Sequence, residues 1–513
     1  MSYPKRSLDI QPTRGIIYDT ADQEVGPDYW TDGQNVQFRD GFAQRVLGNR
    51  DVYEDEIAAV GLPRFLHALN AITAATNYWL VMDASGEIYS IQPGTLTKID
   101  GGLLSPVSAP WRWSSAFING IPILNNTQDE PHYWPFSGDI APLPGWTATE
   151  SAGFVAVLKF HVFAMNISGP SGDFPNLVKW SAATEPGSVP STWVPAPDND
   201  AGAVELADSP GAIICAYPLG DSLLIYKRTA IYQARFGGAN VFSFRKVSSS
   251  LGALTPRAVC DIGNGLHFVV TDGDIVLFDG TNARTIGESR VRDFLFENID
   301  GDNFLNLFCV YNRSRDEVLL AYPSKESNGI PDKALVYDVS RDSFGVRDIP
   351  DTRHGFVGFI NDTAPGNTWA DRTETWEDAV GTWAQTVGSE ATDSLVLVKE
   401  EALNEQDVLN SVSVNAKIAR SGLTFGDPKR IKFVRQAHIR TRDPYGTFFV
   451  RAGASQTPNG AISWSDEVQI NGEEQIVPLF AQGRYIAVEM RSGGANIWTV
   501  TGIELEAELR GYH

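Results

Sequence analysis

Seven histidines, three cysteines and a large excess of carboxylates are the residue types in this sequence that could do chemistry. A metal centre needs such groups at ligand spacing. The histidines, His67, His132, His161, His267, His354, His438 and His513, are dispersed without it. "PDNDAG" at 197–202 and "DGDN" at 300–303 begin like calcium loops. Both lack the later ligands and the closing Glu, so they read as acidic turns. His161 and His267 lie within apolar runs, which favours hydrogen-bonded core imidazoles. Neither a Gly-x-Ser-x-Gly elbow nor a phosphate loop occurs. No catalytic residue, metal or cofactor is expected.

The carboxylates offer many pairs for glycosidase chemistry, which uses two of them, but the sequence singles out none. "GSVPSTW" at 187–193 lacks the Asp and Gly of the Ser-x-Asp-x-Gly-x-Thr-Trp box that sialidases repeat. The formal net charge is -22, which opposes tight binding to a phosphate backbone. The charge is unevenly spread: residues 413–513 hold 12 basic and 10 acidic residues, and residues 1–412 hold 29 and 53. Cys215, Cys260 and Cys309 are too few for a disulfide framework and fit synthesis in a reducing compartment. No secretory leader and no run of about 18 apolar residues is present, so neither secretion nor a membrane span is expected.

The elements that would carry these residues are strands. The chain has 513 residues, 47 of them Gly, and its short apolar runs end in Gly, Asp-Gly or Pro. "YWLVMDASGEIYSI" (78–91), "SLLIYKRTAIYQARF" (222–236) and "LHFVVTDGDIVLFDG" (266–280) are each strand, turn, strand. With three fainter copies, they place the landmarks Tyr89, Trp134, Trp180, Tyr232, Phe278 and Tyr337 at spacings of 45, 46, 52, 46 and 59. A period near 45 with about four strands per unit is the mark of a β-propeller. The cysteines keep the register, 45 and 49 apart, each in the strand before a central hairpin, as small buried positions. Six blades are legible from 62 to 351, and a seventh fits in 352–410.

The last hundred residues differ. "TGIELEAELR" and "RYIAVEMR" alternate apolar and polar residues, as strands with one buried face do. The expected fold is all-β: a propeller of six or seven blades and a C-terminal antiparallel β-sandwich. The expected division is an N-terminal hairpin segment packing on or closing the propeller (1–60), the propeller (61–410) and the sandwich platform (411–513).

The stretch "YWTDGQNVQFRDGFAQRVLG" (29–48) reads locally as a hairpin turning at Asp40-Gly41. Through Trp30, Thr31, Asp32, Asn35, Val36, Phe38, Arg39, Asp40 and Gly41 it resembles the opening of the tail-nozzle, or packaged-DNA-stabilisation, proteins of short-tailed bacteriophages. "SGLTFGDPKRIKFVRQAHIR" (421–440) and the stretch beginning "GRYIAVEMR" look like the start and end of that family's C-terminal β domain. The resemblance implies a structural, non-enzymatic virion tail protein made in the host bacterial cytoplasm. It implies a homo-oligomer, a hexamer, forming a tube below the portal and adaptor. Tail fibre, spike or needle proteins would attach, and genomic DNA would pass loosely through the bore. The alternative is a carbohydrate-binding or carbohydrate-cleaving propeller of a tail spike.

Two segments remain. "TWADRTETWEDAVGTW" (368–383) repeats Thr-Trp every seven residues, at Trp369, Trp376 and Trp383. Four Thr, a Gly and three Trp disfavour a helix, and in an extended chain successive indoles would face opposite sides. They are expected to anchor an acidic excursion to a blade or a neighbouring subunit, with sugar stacking as the alternative. The run 420–451 holds eight Lys/Arg and two Asp. Its Lys429, Arg430, Lys432, Arg435, Arg440 and Arg442 are expected at intersubunit contacts, or alternatively facing DNA.

Overall fold

In the second strand of each repeat both faces are largely buried, because each blade is sandwiched between two others. Ser222–Lys227 and Glu317–Tyr322 are buried at every position, whereas the outermost strand Ala283–Thr285 is exposed throughout. That gradient produces the uninterrupted "SLLIY" and "VLLAY" runs. In this computed structural model the described residues are all except 1–3, 12–13, 40, 70–77, 93, 103, 238–240, 361–392, 409–413, 443–446, 472–474, 493–496 and 513.

Among the described residues, seven four-stranded antiparallel sheets follow one another. Their inner strands are Pro63–Leu69, Ser114–Ile118, Ser151–Leu158, Ile213–Leu219, Val259–Asp261, Phe308–Asn312 and Gly355–Gly358, which define blades 1 to 7. From blade 2 to blade 7 each inner strand lies beside the next, and blade 7 returns to blade 1, so the ring closes. The landmark aromatics occupy third strands, except Trp134, which directly follows the third strand of blade 2. All three cysteines lie on inner strands, those of blades 4, 5 and 6. Cys215 is buried, while Cys260 and Cys309 are only partly so.

Blade 7 takes three strands from the end of the propeller, Gly355–Gly358, Ser394–Val398 and Leu403–Val408. Its fourth strand is Gly48–Val52, from the N-terminal segment, paired antiparallel from Leu403↔Val52 to Val408↔Gly48. An unpaired blade edge would expose a row of backbone donors and acceptors. Borrowing an N-terminal strand covers that edge and ties the two ends of the ring together.

The rest of the N-terminal segment lies elsewhere, which corrects the three-way division expected from the sequence. Lys5–Ile10 and the hairpin Val36–Arg39/Phe42–Arg45 join Lys432–Thr441, Gln475–Gly483 and Thr499–Leu509 in one six-stranded sheet. Asp32–Gln34 joins Lys417–Leu423, Phe448–Ser455 and Tyr485–Ser492 in a second, with two short edge strands. The sandwich is therefore built from both termini. The alternation read from the sequence sets its core: Val434, Ile439, Ile503 and Leu505 of one sheet pack with Val450, Ile486, Val488 and Met490 of the other. No helix among the described residues is long and apolar enough to cross a membrane.

Candidate functional site

The segment from Gly15 to Arg45 stitches blade 6 to the sandwich. Trp30 is fully buried in the sandwich core. Its N–H donates to Gly15 O at 3.0 Å, and Ile17 N–H donates back to Trp30 O at 2.9 Å. Ile16 N–H donates to Phe344 O of the outer strand of blade 6. A Cβ on Gly15, where φ is 88°, would sit 2.8 Å from that same Phe344 oxygen, so only glycine permits the approach.

Asn35 is the hinge of the seam. Its φ of 58° is left-handed, a region Asn tolerates better than most residues. Its backbone N–H donates to Val346 O at 2.8 Å. Its side chain donates to Asp348 Oδ2 at 2.8 Å and to Asn415 O at 2.7 Å, and accepts the Asp348 N–H at 2.8 Å. Asp348 also accepts from Gln34 and, at 2.5 Å, from Lys333 Nζ. Burial raises the pKa of Asp348, but these bonds from Lys333, Gln34 and Asn35 outweigh it and hold the carboxyl below its ordinary value. Asp32 pairs with Lys417 at 2.5 Å, but both side chains are about half exposed and the pair adds little.

The hairpin after Asn35 brings a charge into a buried network. Phe38 is buried, while Arg39 donates to Arg315 O and lies 3.8 Å from Glu317. Gln37 Oε1 accepts from Arg315, whose Nε lies 3.3 Å from Glu317 and 3.4 Å from Asp407. Asp407 accepts from Arg347 Nη1 at 3.0 Å. Glu317, Arg347 and the Asp407 side chain are all under a tenth exposed. Burial raises the pKa of Asp407, and Arg347 with Arg315 more than reverses that. Blade 6, blade 7 and the hairpin thus meet on a compensated ion cluster. The strands leave a two-residue turn in which Gly41 has φ 82°, while Asp40 lies outside the described residues.

The basic run of the sandwich is largely engaged within the sandwich itself. Lys432 is fully buried, donates to Asp427 O and, at 2.6 Å, to Arg484 O, and is pushed down to about 8 by burial. Arg435 pairs with Glu508 at 3.1 Å, and Arg440 pairs with Asp9. Arg430 donates to Arg510 O and lies over Tyr512, Arg442 lies over Phe42, and Lys429 is exposed. Trp369, Trp376 and Trp383 lie outside the described residues.

The histidines and acidic turns have structural partners. His161 Nε2 lies 2.9 Å from Asp200, and His267 sits between Tyr226 OH and Pro218 O. Asn199 takes the N–H of Ala196 and of Ala201, and Asp300 takes the Asp302 N–H and the Asn303 amide. Among the described residues no three His, Cys, Asp or Glu side chains are grouped to hold a metal ion.

No family model matches the chain, and no curated protein is detectably similar in sequence. Several solved propellers are similar in structure at low identity. One is the β-propeller domain of Cps50 (Swd1) from Myceliophteria thermophila, with 9% identity, covering 71% of this chain and 99% of that one, TM-score 0.40. Another is YCF48 bound to D1 peptide, with 8% identity, covering 71% and 96%, TM-score 0.37. A third is PorZ, a surface component of the type-IX secretion system of Porphyromonas gingivalis, with 9% identity, covering 73% of this chain, TM-score 0.36. The match spans only 43% of the PorZ chain.

The hairpin read from the sequence is present as Val36–Arg39 paired with Phe42–Arg45, but the sequence did not name the partners of the seam. Arg315, Glu317, Arg347, Asp348 and Asp407 sit in ordinary polar turns and strand ends, and nothing local marks them. The left-handed Asn35 was the one available cue, because an Asn between two strand-like runs favours such a conformation.

Proposed function

We propose that this chain is a structural protein of a short-tailed phage tail, assembling as a ring around a passage for DNA. The observation that carries this reading is the seam. Among the residues that resemble the tail-nozzle family, Asn35 and Arg39 tie the sandwich to blade 6 through Asn35–Asp348 and the Arg39–Arg315–Asp407 cluster. A conduit under load needs two domains held as one rigid piece, and a compensated buried network does that without a reactive group. The acidic first 412 residues, 53 Asp/Glu against 29 Lys/Arg, suit a wall that does not retain the duplex. Within this reading the basic run does not grip the duplex, since Lys432, Arg435 and Arg440 already have partners in the sandwich, and the exposed Lys429 is left for contacts between subunits or with an adaptor.

Electron microscopy of the purified full chain tests the proposal. The expected result is a closed ring with a duplex-wide bore. A monomer at all concentrations that binds or cleaves host polysaccharide would overturn it in favour of the spike reading.

A further inference from the structure

Three arginines gather where the inner strands of the propeller begin. Arg64 stands at the start of the inner strand of blade 1, at a bulge between Pro63 and Phe65. Arg353 lies two residues before the inner strand of blade 7, and Arg257 two before that of blade 5. Because every blade is entered by its inner strand, these starts share one end of the channel. Arg257 Nη1 donates to Arg353 O at 3.1 Å and its Nη2 to Asn306 O at 3.5 Å. His354, next in the chain, stacks on Phe65 at 4.1 Å and accepts the Leu66 N–H. Blades 5, 6, 7 and 1 are thus joined around these cations.

Arg64 is buried, at 9% exposure, and its Nε and Nη1 have no hydrogen-bond partner. The Nε atoms of Arg257 and Arg353 are unpartnered as well. The acids nearby are committed. Glu400 pairs with Arg353 at 2.6 Å, and its side chain is more than half exposed. Asp83 caps its own turn, taking the N–H of Ser85 and Glu87 and the Ser85 hydroxyl. Burial, followed by repulsion from Arg353, lowers the pKa of Arg64, while burial brings Arg257 down to about 9. A buried guanidinium with idle donors is costly unless an anion completes it. Arg420, at 2% exposure, also leaves its Nε idle but engages both terminal nitrogens, with Asp22 O and Ser421 O on one and Val25 O on the other, whereas in Arg64 the terminal Nη1 is idle too.

We propose that the seam between blades 7 and 1, at this end of the channel, is an oxyanion site in which Arg64 and Arg353, backed by Arg257, hold a phosphate or carboxylate group. The guanidinium fork matches both anions, and donors from two blades would converge on one ligand. The site would couple anion binding to closure of the ring, since blade 7 is the blade completed by the N-terminal strand. The inference is independent of the conduit reading.

The test is thermal unfolding of the full chain in inorganic phosphate, in acetate and in chloride at matched ionic strength. The parent midpoint should rise with the logarithm of phosphate or acetate concentration relative to chloride, and the stronger of the two identifies the group preferred. Arg64→Gln should weaken the apparent affinity by about tenfold or more, and Arg64→Lys, which keeps the charge but loses the fork, should fall between. Arg353→Gln supplies a second probe of the same site should the Arg64 variants fold poorly. A parent midpoint indifferent to both anions would overturn the proposal, as would an increment that survives in the Arg64 and Arg353 variants.

Discussion

Replacing Asp407 by Asn removes one negative charge from the seam and almost no volume, so the cost comes from electrostatics and not from a cavity. Arg347 is 4% exposed, and among the described residues its ion-pair partner is Asp407, at 3.0 Å. Arg315 keeps Glu317 at 3.3 Å and is less affected. Breaking a buried pair from one side costs about 3–5 kcal/mol. Because Asn can still accept one hydrogen bond, the low end, about 3 kcal/mol, is expected, roughly a hundredfold in an opening equilibrium. A chain with two domains does not guarantee a single unfolding transition, so the readout should be local. Amide exchange over Leu403–Val408 and its partner Gly48–Val52 reports opening of blade 7 directly. Protection there should fall about a hundredfold in Asp407→Asn and recover substantially in Asp407→Asn/Arg347→Met, where no buried charge is left alone. A loss of less than about fivefold, near 1 kcal/mol, would show that the cluster does not hold the blades and refute the reasoning.

Asn35→Gly keeps the left-handed backbone but removes the donors to Asp348 and Asn415, and should cost about 1–3 kcal/mol, read as lost exchange protection in the outer strand of blade 6. Trp30→Ala empties a fully buried site in the sandwich and should cost about 3–5 kcal/mol in chemical denaturation. His67 is buried between Phe117 and Phe356, and burial takes its pKa to about 3. Below an unfolded value of about 6.5 the unfolded chain binds the proton that the folded chain refuses, so stability falls as pH drops from about 6.5 toward 3. His67→Gln should flatten that part of the stability–pH curve, and an unchanged slope would contradict the assignment. Duplex DNA should bind weakly at both about 50 and 200 mM salt, whereas a basic belt of several phosphate contacts would lose orders of magnitude of affinity between them. Tight, salt-steep binding abolished by Arg442→Glu would place the basic run in the bore.

The sequence by itself determined the repeat. The 45-residue rhythm and the buried second strands follow from short continuous apolar runs closed by turns, as blades with two covered faces require, and both are properties of contiguous residues. The sandwich alternation at Ile503, Leu505, Ala507 and Leu509 was legible for the same reason. Tertiary structure alone decided how the chain closes. Gly48–Val52 completes blade 7, and Lys5–Ile10 lies along Thr499–Leu509, pairings between residues hundreds of positions apart. Strand edges carry identical backbone groups whatever their sequence, so no local pattern names the partner that will cover them. The ion cluster was hidden for a related reason. Arg39, Arg315, Arg347 and Asp407 look like surface charges one at a time, and only the folded ring removes their water and makes each depend on the others.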